Sequence, residues 1–245
     1  MENENYKFIN ESLFFPERGI LVIGDLHIGY DVMLRQSGVL IPERQIEDVM
    51  ERLDKIFQKI DSKNYELKKI IFLGDIKHSF SFDFQERKDF DQIMDFLRQK
   101  FSEENIILIK GNHDTIDYSF KGKMKSFHIE DEIAFLHGHK LFLEVLDKSI
   151  NLIVMGHLHP SVVLQENPGI KKENYKCFLT GKYKKKDVIV LPSFLRIIEG
   201  SKVNEYANKL EKDFSIIPKK NLLKFRVHVV GKDETYSFGK VKDFD

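Results

Sequence analysis

Ile70-Ile71-Phe72-Leu73-Gly74-Asp75-Ile76-Lys77-His78 is a short apolar run that stops at a glycine and then delivers an aspartate and a histidine. A run of this length, apolar at every position, is the pattern of a strand covered on both faces. The same design recurs along the chain. Further apolar runs lie at Ile20–Ile23, Ile106–Ile109, Ile133–Leu136, Leu152–Met155 and Val188–Leu191. Five of the six are followed at once by metal-capable residues. These are Asp25 and His27, Asp75 and His78, Asn112 and His113, His137 and His139, and His157 and His159. Strand ends are where α/β sheets build sites, because rigid strands aim loop residues into one crevice. The glycine beside most of these residues lets the backbone turn sharply there.

Helices separate the early runs. Pro42 suits a first helical turn, and Ile46, Val49, Met50, Leu53, Ile56, Phe57 and Ile60 keep helical spacing on one face. A second helix is expected from Glu86 to Phe101, with Phe90, Ile93, Met94, Leu97 and Phe101 inward. Near the end, Phe225, Val227 and Val229 alternate with Lys224, Arg226 and His228, a half-exposed strand that turns at Gly231-Lys232-Asp233-Glu234 into a last one. No Gly/Ser- or Pro-rich linker interrupts the chain, so residues 1–245 are expected to form a single α/β domain.

Bulk composition narrows the field without deciding it. Lys+Arg and Asp+Glu both number 39 in 245 residues, so there is no global basic footprint for nucleic acid, although a local patch would suffice. No apolar run approaches a membrane span, and the N-terminus lacks the basic-then-apolar pattern of a signal peptide. One cysteine, Cys177, permits no intramolecular disulfide and fits a reducing cytoplasm. It sits in an apolar, strand-like stretch away from the histidine motifs, a poor place for a nucleophile.

Taken singly, an aspartate after a strand is more often a helix cap, and a buried histidine more often a satisfied core residue. Five such motifs in series, with only His128 and His228 outside them, favour one shared site. The ordered series D-x-H, G-D-x-x-H, G-N-H-D, H-G-H and G-H-x-H, from Leu21 to Pro160, resembles the calcineurin-like metallophosphoesterase superfamily. Within it, Gly24-Asp25-Leu26-His27-Ile28-Gly29-Tyr30, Leu34-Arg35, Pro42 and Leu191-Pro192-Ser193-Phe194 resemble the SbcD-related (ICC-like) phosphoesterases.

That resemblance implies a four-layer αββα sandwich of two mixed sheets flanked by helices. It implies one metal held by Asp25, His27, Asp75 and His159, and a second held by Asp75, Asn112, His137 and His157, with Asp75 bridging. It further implies a hydroxide shared by the metals for in-line attack on phosphorus, with His113 as the catalytic histidine that holds no metal and His78 assisting it. Oxygen and nitrogen donors without thiolate suit manganese first, with iron, cobalt, zinc or nickel as alternatives. The implied activity is phosphoester hydrolysis, phosphodiesters favoured and nucleic acid among the substrates, in a cytoplasmic protein without membrane contact. Small-molecule phosphomonoesterase or cyclic-nucleotide phosphodiesterase activity stays open, and so does a non-catalytic scaffolding subunit. The chain is short for the added domain with which SbcD-type nucleases grip DNA.

Other features carry two readings each. Asp114 is an orienter for His113 or a turn cap, and His139 faces substrate or backs a metal ligand. Arg35 reaches a phosphate or is merely solvated. Lys182-Tyr183-Lys184-Lys185-Lys186 is a nucleic-acid patch or, more simply, a charged hairpin tip. Phe80, Phe82 and Phe84 stack a base or, more simply, are buried by a strand or loop.

Overall fold

The computed structural model describes residues 5–42, 44–117, 124–165, 172–205 and 215–244. Its first sheet comprises Lys7–Ile9 (β1), Ser12–Phe15 (β2), Ile20–Ile23 (β3), Lys69–Phe72 (β4) and Ile106–Leu108 (β5), in that spatial order. The strands β3, β4 and β5 run parallel, as the helices between them require. Those helices are Tyr30–Gln36 (α1), Gln45–Asp61 (α2) and Phe84–Arg98 (α3). The second sheet is built from Phe127–Glu130 (β6), Ile133–Leu136 (β7), Leu152–Met155 (β8), Pro160–Leu164 (β9), Glu173–Tyr183 (β10), Lys186–Val190 (β11) and Ser201–Lys202 (β12), in the order β12-β9-β10-β11-β8-β7-β6. After the short helix Lys219–Leu222 (α4), the hairpin Arg226–Val230 (β13) and Thr235–Lys240 (β14) joins through β10.

Side chains alternate along each strand and so divide the core into three layers. Val22, Ile71, Ile107, Phe135, Val154 and Ile189 meet between the two sheets. Leu21, Ile70 and Leu108 face the other way, onto Val49, Leu53 and Ile56 of α2 and Phe90, Ile93 and Leu97 of α3. Ala134, Ile153 and Val188 pack outward on the second sheet beneath Val145, Ile217 and Leu222. Two mixed sheets thus lie face to face, thickly covered by helix on the first side and thinly, among the described residues, on the second. No helix of the described residues is long and apolar enough to cross a membrane.

The helix boundaries depart from the sequence expectation at their caps. Pro42 lies outside α2, which starts at Gln45, where the side-chain amide turns inward and donates to the carbonyls of Leu26 and His27. The helix α3 begins before Glu86, because the Asp83 carboxylate caps it by accepting from the Glu86 N–H at 2.9 Å. It ends at Arg98, leaving Phe101 buried just beyond it.

Candidate metal centre

Each of the five motifs leaves its strand at the same edge of the sandwich, because β3, β4 and β5 are parallel to one another and β7 is parallel to β8. Asp25 and His27 follow β3, Asp75 and His78 follow β4, and Asn112 and His113 follow β5. His137 and His139 follow β7, and His157 and His159 follow β8. Backbone bonds lock the loops to one another. The Asp75 carbonyl accepts from the N–H groups of Leu26 and His27, and the His137 carbonyl accepts from Gly156.

The side chains converge. Asp75 Oδ2 lies 3.4 Å from His137 Nε2 and 3.8 Å from His27 Nε2. Asp25 Oδ1 lies 3.3 Å from His159 Nε2, and the His27 and His159 Nε2 atoms face each other at 3.3 Å. His157 Nδ1 is 3.0 Å from His137 Nε2, which is 3.1 Å from Asn112 Oδ1. Three groups of donors result among the described residues, Asp25 with His27 and His159, Asp75 with His137 and His157, and His27 with His78 and His113, each with ligand atoms within 4.8 Å of one another.

Backbone strain concentrates here. His27, Asp75, His157 and His159 have φ of 46°, 45°, 69° and 43°, a left-handed conformation that L side chains rarely adopt. The expectation that glycines take the sharp turns therefore holds only in part. A Cβ at Gly111 would sit 2.1 Å from Asp75 Oδ1, and one at Gly156 would sit 2.5 Å from Asp25 Oδ2. Those glycines clear space for the carboxylates, while the donor residues themselves carry the unusual φ.

The electrostatics call for a cation. Burial works against ionised Asp25, yet His159 and His137 outweigh it and hold the carboxyl well below the usual range. Asp75 is lowered in the same way by His137. Burial also works against charge on His137, but Asp25 and Asp75 beside it push the imidazole up to about 9. Burial, with His159 facing it, pushes His27 down to about 3. A facing pair of imidazole nitrogens can share at most one proton, and so many converging lone pairs fit a divalent metal site made of nitrogen and oxygen donors.

His113 stands beside these groups. Its Nδ1 donates to the His78 carbonyl at 2.6 Å, and its Nε2 is 4.0 Å from Asp75 Oδ2. His78 therefore holds His113 through its backbone. Its imidazole stacks on the His113 ring at 5.4 Å. Asp114 is a loop tie and does not orient His113. Fully buried, it accepts from the N–H groups of Gly111, Ile76 and Lys77 and so joins the loops after β4 and β5. That burial pushes its carboxyl up to about 6. His139 is exposed, its ring 5.2 Å from that of His137, and burial of its inner part with His137 and His157 nearby pushes it down to about 4.

Arg35 is paired with Asp31 one turn earlier in α1. Lys184 and Lys185 form the tip of the β10–β11 hairpin at the opposite end of the sheet from the donors. Cys177 is fully buried in β10, and burial raises its thiol far above the usual range. Phe80, Phe82 and Phe84 are 58%, 59% and 75% exposed, against the expectation that a strand or loop would bury them. Gln45 escaped the sequence reading. It shares an i, i+4 face with Val49 and Leu53, and that lone polar residue in an apolar stripe was its signal.

A family model described as calcineurin-like phosphoesterase matches residues 19–190. Among solved structures, the chain is similar to a Pseudomonas putida nuclease MPE at 18% identity and a TM-score of 0.60, covering 96% of this chain and 100% of that one. At that identity the likeness speaks for the fold. No curated protein matches.

Proposed function

The chain belongs to the calcineurin-like phosphoesterase family, and from that premise we propose that it is a two-metal hydrolase of phosphodiesters. The observation that carries the reading is the position of Asp75, whose Oδ2 lies between His137 at 3.4 Å and His27 at 3.8 Å. Asp25, His27, Asp75 and His159 would hold one cation, and Asp75, Asn112, His137 and His157 the other, with manganese the favoured ion. Bound divalent cations supply Lewis acidity to the phosphoryl oxygens and lower the pKa of water.

The chain supplies the rest. A carbonyl can only accept, so the bond to His78 fixes the His113 proton on Nδ1 and aims Nε2 into the site. As the imidazolium, His113 gives the Nε2 proton to the leaving oxygen. The His78 carbonyl and the Phe80 ring, 4.4 Å from the His113 ring, keep that imidazole from swinging away. Asp114 keeps Asp75 and Asn112 in register by tying their loops together.

Preference for diesters and kinship to SbcD-related enzymes rest on the motifs from Gly24 to Tyr30 and from Leu191 to Phe194. The second motif backs the site, since Phe194 N–H and Ser193 Oγ both donate to the Asp25 carbonyl. A single domain over residues 1–245 is supported by the core shared between the two sheets. The structural neighbour is a nuclease, which agrees with a diester substrate.

The test compares wild type with His113→Ala on bis-p-nitrophenyl phosphate with added Mn²⁺, alongside metal analysis. Turnover is expected to fall by about 100- to 10,000-fold with metal content unchanged. Loss of both metals in the variant would show that His113 is a ligand. An unreactive, metal-indifferent wild type would support the scaffolding alternative.

A further inference from the structure

We propose that Phe80 is a stacking platform for an unpaired nucleobase beside the scissile phosphate, which makes single-stranded nucleic acid the substrate class; this rests on the phosphodiesterase reading above. The ring of Phe80 lies 4.4 Å from that of His113 at an interplanar angle of 26°, a stacked pair. It is nevertheless 58% exposed, so one face meets the imidazole and the other meets solvent. The arrangement extends inward, with His78 stacked on His113 at 5.4 Å and Tyr30 edge-on to His78 at 4.9 Å. A phosphate within reach of His113 Nε2 places the base of the same nucleotide one sugar away, within reach of the open face.

The loop that presents Phe80 is held by polar contacts and not by burial of its aromatic rings. Thr115 Oγ1 donates to the Phe80 carbonyl, and Lys77 Nζ donates to the carbonyls of Ser79 and Ser81. The Glu86 carboxylate accepts from Ser79 N–H at 2.7 Å, and Asp83 caps α3. A loop fixed this well that still leaves Phe80 exposed is preorganised to offer the ring to something planar and apolar. Aromatic stacking is how single strands are bound without sequence preference, because every base has a π-face. Paired bases within a duplex have no free face to offer, so the platform selects against duplex. The Lys184-Lys185 hairpin lies at the far end of the sheet and cannot supply that selection.

Anisotropy of a fluorescein-labelled oligothymidylate hexamer, without added metal, tests this directly against an abasic strand of the same length and charge. Wild type is expected to bind the base-bearing strand about tenfold more tightly than the abasic one. Phe80→Ala should abolish that ratio and Phe80→Trp should restore it. With Mn²⁺, wild type should cleave the single strand in preference to its duplex. An unchanged ratio in Phe80→Ala, or equal cleavage of duplex, overturns the platform. Hydrolysis of bis-p-nitrophenyl phosphate by a wild type that shows no base preference also overturns it while leaving the hydrolase reading intact. Absence of both activities overturns the hydrolase reading itself. A wild-type dimer that Phe80→Ala splits, seen by sedimentation, would assign the exposed rings to a self-contact instead.

Discussion

The strand exits at the metal centre and the hairpin turn at the opposite end of the sandwich use the same unusual backbone for different ends. Lys184 and Lys185 have φ of 47° and 67° in the tight turn between β10 and β11. Two successive left-handed residues match the twist of the flanking strands, so local geometry accounts for them. His27, Asp75, His157 and His159 adopt the same conformation because distant parts of the chain impose it. The Asp75 carbonyl is bound by Leu26 and His27, His157 N–H donates to the Asp25 carboxylate, and the His159 carbonyl accepts from Ser201. Strain that survives only because tertiary bonds over-determine it is a mark of function. At the hairpin it marks nothing beyond a turn.

The largest effect that would break this contrast comes from Asp75→Asn. With one charge removed where the two donor groups meet, hydrolysis of bis-p-nitrophenyl phosphate should fall by more than about 100-fold, and metal content by calorimetric titration should fall with it. Retained turnover would detach Asp75 from the chemistry.

A smaller effect concerns the buttress behind the site. Lys176 Nζ donates to the carbonyls of Ser193 and Leu195, next to the segment that holds the Asp25 carbonyl. Burial, partly offset by Glu11, pushes its ammonium down to about 8 from 10.5. Below pH 8 both folded and unfolded chains carry the proton, and the cost of burying the charge is fully present. Between about pH 8 and 10.5 the unfolded chain holds a proton that the folded chain has shed, so this group adds stability as pH rises. Urea unfolding of wild type and Lys176→Met across that window should differ in slope, the wild type gaining relative to the variant. Parallel slopes would show that Lys176 does not titrate there.

The smallest effect sharpens the contrast itself. Lys185→Gly should stabilise the chain by about 1 kcal/mol with activity unchanged. His159→Gly should be more stable than His159→Ala by a similar amount, roughly 1 kcal/mol, with activity lost in both. Melting temperatures that fail to separate glycine from alanine at His159 would mean that no strain is stored there.

Much of the fold was legible because its strands are apolar on both faces. Ile20–Ile23, Ile133–Leu136 and Leu152–Met155 are strands over the very residues expected. The edge hairpin Lys7–Ile9 and Ser12–Phe15 was not anticipated, and of the long strand Glu173–Tyr183 only the stretch around Cys177 and the hairpin tip were. Their residues are mixed or few, so no clear period marks them. The aromatic series from Phe80 to Phe84 was misjudged for a related reason. Alternation suggests burial, but nothing in a one-dimensional pattern says whether a partner surface will arrive to cover it.

The chain's own order of residues determined which donors exist and that each follows a buried strand, because hydrophobic periodicity and glycine placement are local properties. Only the tertiary structure decided that the donors share one edge, that Asp75 lies between two groups of them, and that the His78 carbonyl grips His113. Those outcomes depend on parallel registers and on hydrogen bonds between loops far apart in sequence, and no local pattern encodes a distance between them.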